Sequence, residues 1–309
     1  MKLNLAANYS EALVDLLSDG AVAVDRLKCP AWPDTIARAQ RVHPVYVHFP
    51  LRVGVGIGDA IDSETGERAD WRRVEGILAR TATPVINLHL EVTRRDLPHI
   101  GPDSVDPTHV AEICDRSIRD VESVVRRFGA DRVIVENNYG DGGNCLRPIL
   151  LSETINAIVD ATDCGFLLDL AHASIAACEL GLGIREYVES LPVRRLGELH
   201  VSGIRVFDGR WIDAARAAGV DHDVIEGLAG RCVDHLPMTE DDWMITEWAL
   251  KQVGHRGWRA PWTVTLEYGG VGPLFSATTD RDVLAKDVPR LRRMTQYRGA
   301  DSVQSELES

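Results

Sequence analysis

Eight short apolar runs alternate with segments of helical period along this 309-residue chain, and that alternation leaves few folds open. The runs are LNLA near residue 3, AVAVDRLK at 21–28, VYVHF at 45–49, VINLHL at 85–90, RVIVEN at 132–137, GFLLDL at 165–170, RLGELHV at 195–201 and TVTLEY at 263–268. They are rich in Val, Ile and Leu, as strands buried on both faces of a parallel sheet are. Between them lie helical segments with legible ends. YSEALVDLLSDG stops at Gly20, a long helix runs from Pro107 to Gly129, and TEDDWMITEWALKQVG opens on Thr239 as N-cap. The segment 51–69 reads as a long loop, and 202–238 as irregular apart from one short helix near 211–218. The pattern predicts an α/β fold: a single (β/α)8 TIM barrel over residues 1–297, with a polar tail at 298–309.

Most of these runs end on a side chain that can bind a metal. His48 closes VYVHF, His89 sits in VINLHL, Glu136 in RVIVEN, Asp169 and His172 at FLLDLAH, His200 in GELHV and Glu267 in TVTLE. A further segment, RCVDHLP, carries Asp234 and His235. In a parallel barrel the carboxyl ends of the strands meet at one face, where active sites sit. Taken singly, each residue is equally well a polar side chain meeting a loop. Together they would crowd carboxylates into one small mouth, where repulsion at low dielectric is severe. Divalent or trivalent cations resolve the conflict, and the donors outnumber what one ion needs, so two or three metal ions are expected. A His and carboxylate set without thiolate suits iron, manganese or zinc. Asp169 and His172, three apart at a helix start, are expected to face the same pocket.

Composition narrows the partners. The net charge of −13 disfavours nucleic acid, which needs clustered Lys and Arg. No apolar run approaches the ~20 residues that span a bilayer, and the N-terminus has no secretory leader, so no membrane role and a cytoplasmic location are expected. The six cysteines form no CxxC pair, which removes a thiolate zinc ribbon. Lys28, Asn8 and Asn138 stand at strand ends as candidate substrate contacts, with Lys28 equally placed to pair with a ring carboxylate. NYGDGGN (138–144) and YGGVGP (268–273) offer backbone N–H groups to an anion and equally suit plain turns.

The order and spacing of the ring resemble those of the multinuclear iron TIM-barrel enzymes of the methanobactin-biosynthesis type, within the xylose-isomerase-like superfamily. The resemblance runs from VYVHF to TLEYGG. It rests on His48, His89, Glu136 followed by Asn137, the Asp169–His172 pair, His200, a late Asp/His element before a Trp-containing helix, and Glu267. It implies a dioxygen-dependent oxidoreductase that modifies cysteine residues of a ribosomally made precursor peptide, with iron as the metal and a partner protein presenting the peptide. Glu136 and Glu267, the candidate catalytic residues, would bridge or flank ions. His48, His89, Asp169 and His200 would complete two sites, and His172 with Asp234 or His235 a third. One element departs from the pattern. The late motif in such enzymes reads Asp-x-His, whereas Asp234 and His235 are adjacent, and neighbours on an extended strand point opposite ways. One of the two is therefore expected to point away, with Asp221-His222-Asp223 as a rival location. The alternative activities are a sugar isomerase or epimerase with one Mn or Zn ion, using Glu136 and Glu267 as acid and base, and a three-zinc phosphodiesterase resembling endonuclease IV. Outside enzymology, the alternative is a peptide-binding scaffold.

Overall fold

A computed structural model describes residues 3–140, 145–254 and 257–296. Its strands, in chain order, are β1 (Asn4–Asn8), β2 (Arg26–Pro30), β3 (Val45–His48), β4 (Leu51–Val53), β5 (Ile61–Asp62), β6 (Ile86–Leu90), β7 (Val133–Glu136), β8 (Gly165–Asp169), β9 (Leu196–Val201), β10 (Gly203–Val206), β11 (Cys232–Leu236) and β12 (Thr263–Leu266). Ten of them make one curled sheet in the order β3-β2-β1-β12-β9-β8-β7-β6-β4-β5, parallel throughout except for the β4–β5 pair. β3, at one end of this order, and β4, next to the other end, are two halves of one extended run, broken at Phe49–Pro50, where proline has no N–H to give a ladder. The first half pairs with β2 and the second with β6, Arg52 opposite His89. Side chains close the seam. The Asn87 amide accepts from Phe49 N at 2.7 Å and donates to Phe49 O at 3.0 Å, and Thr83 Oγ1 accepts from Val47 N at 2.9 Å. The expected (β/α)8 barrel is the result, with its helices on the outside. The polar tail at 298–309 lies outside the described residues.

Three local expectations need correction. The second strand begins at Arg26, not residue 21. Asp25 takes the ladder position before it, its N–H donating to Leu5 O and its carboxylate accepting from Leu5 N, so Val22 and Val24 pack as core residues of the preceding turn. The segment 51–69 is not a plain loop but carries the β4–β5 hairpin. The stretch 202–238 is not irregular. It folds as an insertion in which β10 and β11 pair antiparallel and, with helices Gly209–Ala217 and His222–Leu228, enclose a small core of Phe207, Ala215, Ile225, Val233 and Leu236. Each element gives this core only one or two apolar residues, too few for a period to show. Gly203 is required at its base, because a Cβ there would collide with the Pro237 carbonyl.

The chain between β4 and β5 is tied to the helix Pro107–Phe128 by one buried carboxylate. Asp120 accepts from Gly54 N at 3.0 Å, Gly56 N at 2.8 Å and Gly58 N at 2.7 Å. All three glycines have positive φ, which lets successive N–H groups turn toward the same side chain. Asp120→Ala strands three N–H groups, at about 1–3 kcal/mol each. It is expected to lower Tm by roughly 6 °C or more in a calorimetric scan. Among the described residues, no helix is long and apolar enough to cross a membrane.

Candidate metal centre

Parallel register sets the rim. His89 lies opposite Glu136, and Asp169 opposite His200, while Glu136 faces Leu167, so the strand-end residues of β6 to β9 meet at the carboxyl face as two level pairs with a two-residue step between them. His48 ends β3, and Glu267 follows β12 directly. The helix Leu170–Leu180 starts at the rim itself. Asp169 Oδ1 caps it by accepting from His172 N at 2.8 Å, which brings His172 round to within 4.0 Å of Asp169 Oδ2. Asn137 braces this corner, donating to Asp169 O at 3.0 Å and accepting from Asp169 N at 2.9 Å.

Glu136 stands at the middle. Its Oε2 is 3.3 Å from His48 Nε2 and 3.2 Å from His89 Nε2, and its Oε1 is 3.6 Å from His172 Nδ1 and 3.8 Å from His200 Nδ1. Glu267 lies across the mouth, 2.9 Å from His200 Nδ1 and ion-paired with Lys28. Three overlapping triads have donor atoms within 4.8 Å of one another: His48–His89–Glu136, His48–His200–Glu267 and Glu136–Asp169–His172.

The late element behaves differently from the alternation rule. His235 has φ +57°, a left-handed residue that breaks the alternation of β11. Asp234 and His235 therefore both reach the mouth. Asp234 Oδ2 is 3.0 Å from His172 Nε2 and 3.4 Å from His235 Nε2, and His235 Nε2 is 3.7 Å from Glu267 Oε2. The rival segment is elsewhere: Asp221 caps the helix His222–Leu228, and the His222 side chain is 76% exposed. Of the substrate-contact candidates, Lys28 is buried against Glu267, and Asn8 Nδ2 donates to Gly269 O at 3.0 Å, within 3.4 Å of His235 Nδ1. Asn138 turns back on its own backbone, accepting from Tyr139 N at 2.8 Å. Its neighbour is the residue that arrives, with Tyr139 OH donating to Asp234 Oδ1 at 3.4 Å. Residues 141–144 of the NYGDGGN loop lie outside the described residues. Gly269, Gly270 and Val271 of YGGVGP line a cavity of about 260 Å³ beside the centre, together with Lys28, His48, His89, His235, Trp32 and Phe275.

The electrostatics are those of a cation site. Burial alone would raise the Glu136 carboxyl, but His89 and His48 outweigh it and hold it well below the usual range. Burial and the Lys28 ammonium hold His48 and His200 well below an ordinary histidine. For His172 burial is overcome by Asp169 and Asp234, which lift it to about 10. Glu198, absent from the sequence reading, is pushed up to about 7 by burial, against the pull of His48 and the Tyr46 hydroxyl. A usable signal for it exists: several ligands are preceded two residues earlier by a polar side chain, in YVH, NLH, ELH and TLE.

The residues present fit metal ions. Glu136 Oε2, Asp169 Oδ2 and His200 Nδ1 are buried and make no hydrogen bond, although all three point among the other donors. Buried polar atoms are rarely left so, and the buried carboxylates have one lysine among them, Lys28. If ions sit here, Asp234→Ala lowers metal content while Asp223→Ala, in the exposed segment, leaves it unchanged. Elemental analysis of the two variants checks this.

Comparison with known proteins supplies the family. The family model described as RiPP precursor modification enzyme MbnB/TglH/ChrH matches residues 30–240. A UPF0276 protein of Pseudomonas aeruginosa is 26% identical over 136 residues, 43% of this chain and 45% of that one. Another, from Paraburkholderia phytofirmans, is 44% identical over 55 residues, 17% and 18% respectively. The chain thus spans less than half the length of either relative. A xylose isomerase domain protein of Salmonella typhimurium superposes with TM-score 0.51 at 13% identity, covering 94% of this chain and 96% of that one. D-psicose 3-epimerase of Clostridium cellulolyticum also gives 0.51 at 13%, covering 96% and 99%. At such identity the two structures speak for the barrel fold alone.

Proposed function

From the premise that this chain belongs to the MbnB/TglH/ChrH family of RiPP precursor modification enzymes, we propose that it is a multinuclear iron enzyme that oxidises cysteine residues of a ribosomally made peptide. The single observation that carries this is the place of Glu136 in two separate donor groups, His48–His89–Glu136 and Glu136–Asp169–His172. A carboxylate can bridge two ions, whereas an imidazole nitrogen holds one. Glu136 would be shared between ions, with His48 and His89 on one side and Asp169 and His172 on the other. Glu267 and His200 form a further flank, with Asp234 and His235 closing the side toward the insertion. Iron held by these residues would supply a Lewis acid for a substrate thiolate and electrons for dioxygen.

The protein's own part is to bind, orient and keep water out. The cavity beside the centre is lined by Tyr9, Trp32, Pro50, Phe275 and Lys28, among others. Such walls suit an uncharged stretch of peptide, and the buried ammonium offsets part of the negative charge that a thiolate brings. Trp32 is held in place by Glu64, which accepts from its Nε1 at 2.7 Å, and Phe275 packs on the His235 ring at 5.1 Å. A sugar isomerase would need one ion and two carboxylates free to face a substrate. Here Glu136 is surrounded by four histidines and Glu267 is paired with Lys28, so neither has that freedom. A presenting partner protein belongs to the same reading.

The test is elemental analysis after anaerobic purification, followed by mass spectrometry of a cysteine-containing peptide exposed to the iron-loaded protein and dioxygen. Two or three irons per chain and a mass change confined to cysteine are expected. One Mn or Zn per chain and an unaltered peptide would sink the proposal in favour of the isomerase class.

A further inference from the structure

A second polar tier lies directly beneath the centre. Strand residues two apart point to the same face. The position below His48 is Tyr46, below His89 Asn87, below His200 Glu198, and below Glu267 Thr265, all four buried. Below Glu136 and Asp169 stand Ile134 and Leu167, the branched apolar residues that ordinarily fill a barrel at this depth. The polar half of the tier has its own bonds. Asn87 closes the barrel seam. The other three form a chain: Thr265 Oγ1 is 2.7 Å from Tyr46 OH, and Tyr46 OH donates to Glu198 Oε1 at 2.8 Å. Glu198 Oε1 also lies 2.7 Å from His200 Nε2. No lysine or arginine among the described residues pairs with Glu198; its one ion-pair partner is His200.

A buried carboxylate so placed is costly to the fold, and a leucine would fill the space without that cost. We propose that Glu198 is a positioning residue of the metal centre. Held by Tyr46, it accepts the Nε2 proton of His200 and so presents His200 Nδ1, lone pair outward, to an ion. The inference rests on the reading that the ring holds metal.

The atoms agree with this assignment. His200 Nδ1 is buried without a hydrogen bond and stands 2.9 Å from Glu267 Oε1, 3.8 Å from Glu136 Oε1 and 4.0 Å from Asp169 Oδ2. The other braced histidines are turned the opposite way. His89 Nδ1 meets the Leu51 carbonyl at 3.0 Å and His172 Nδ1 meets the Asn137 carbonyl at 2.9 Å, which leaves Nε2 of each for an ion. His200 thus differs from both in binding atom and in having a side-chain carboxyl as its brace. A carboxylate behind an imidazole makes it a stronger donor than a carbonyl does.

The experiment is a competition titration of Fe(II) alone, under anaerobic conditions, against a chromogenic chelator. Wild type is compared with Glu198→Gln and Tyr46→Phe. Glu198→Gln is expected to weaken one ion by about 10–100-fold while leaving the others and the circular dichroism of the metal-free protein unchanged. Tyr46→Phe, which keeps the carboxylate but removes its hydrogen bond, weakens the same ion by a smaller factor. If Glu198→Gln does not fold, Tyr46→Phe carries the test by itself. Unchanged Fe(II) affinity in the folded variants overturns the inference while the metal-centre reading stands. So does a loss of metal-free stability with affinity intact, which would mark Glu198 as merely structural. A wild-type chain that takes up no Fe(II) overturns the metal-centre reading, and this inference with it.

Discussion

Glu136→Gln is expected to empty the middle of the centre while leaving the barrel intact. The side chain keeps its volume, so β7 packs as before. What changes is charge and donor type: one carboxylate oxygen becomes an amide N–H₂, which points protons at any cation. Glu136 belongs to two of the three donor triads and lies within 3.8 Å of four histidines. Removing one partner from a buried charge group costs about 3–5 kcal/mol, or roughly 10²–10⁴-fold in affinity for the ions it touches. Elemental analysis should then show at least one ion fewer per chain, and any turnover that depends on the centre should fall by a comparable factor. Glu112→Gln, at a half-buried helix ion pair with Arg116 away from the centre, serves as the control and should change neither. Full metal occupancy in Glu136→Gln would remove the carboxylate from the centre and with it the bridging assignment.

Stripping the metal is the second large effect. A ligand that binds only the native state stabilises it by RT ln(1 + [L]/Kd), about 4 kcal/mol at a thousandfold excess over Kd. For a chain of this size that corresponds to a fall in Tm of roughly 8 °C or more when a chelator removes the ions, recovered on adding metal back. The structure adds a reason for the sign. Without ions, Glu136, Asp169, Asp234 and Glu267 share one buried mouth with Lys28 and partly neutral histidines. Buried charges are poorly screened by mobile salt, so raising the ionic strength should not restore the lost stability. Scanning calorimetry with and without chelator, at low and high salt, tests both statements. Identical Tm values in all conditions would mean that no ion stabilises the ring. The two effects are linked: in Glu136→Gln the chelator-induced fall should shrink, because less metal is there to remove.

The ring itself was legible because strand parity is a local property. His48, His89, Glu136, Asp169, His200 and Glu267 each sit at or just past the end of an apolar run, and the parallel sheet gathers those ends at one face, level in pairs and stepped by two residues between β7 and β8 and between β9 and β12. Asp169 and His172 were legible as a pair because helix geometry relates residues three apart. The same parity could have found the lower tier. Tyr46, Glu198 and Thr265 are hard to single out because each reads, by itself, as one polar residue in an apolar strand. Asn138 drew attention where Tyr139 is the residue that reaches Asp234, since a turn reorients side chains in a way no period describes.

Other features were beyond the sequence. The break at Phe49–Pro50 splits one run between two neighbours, and the Asn87 amide and Thr83 hydroxyl are what close the seam there. Lys28 had two open roles, and its burial against Glu267 selected one.

The contrast is sharpest at Asp234 and His235. By itself the sequence determined the barrel and the six strand-end donors, because short-range geometry, two residues per strand repeat and one capped helical turn, decides where those side chains point. Only the tertiary structure decided that two adjacent residues of an inserted hairpin both face the same centre. That required His235 at φ +57°, a conformation disfavoured for any residue but glycine and held here by the surrounding packing. It also required the insertion to lay β11 over the rim, so that Asp234 meets His172 from 62 positions away along the chain. Nothing in the local pattern encodes a contact of that separation.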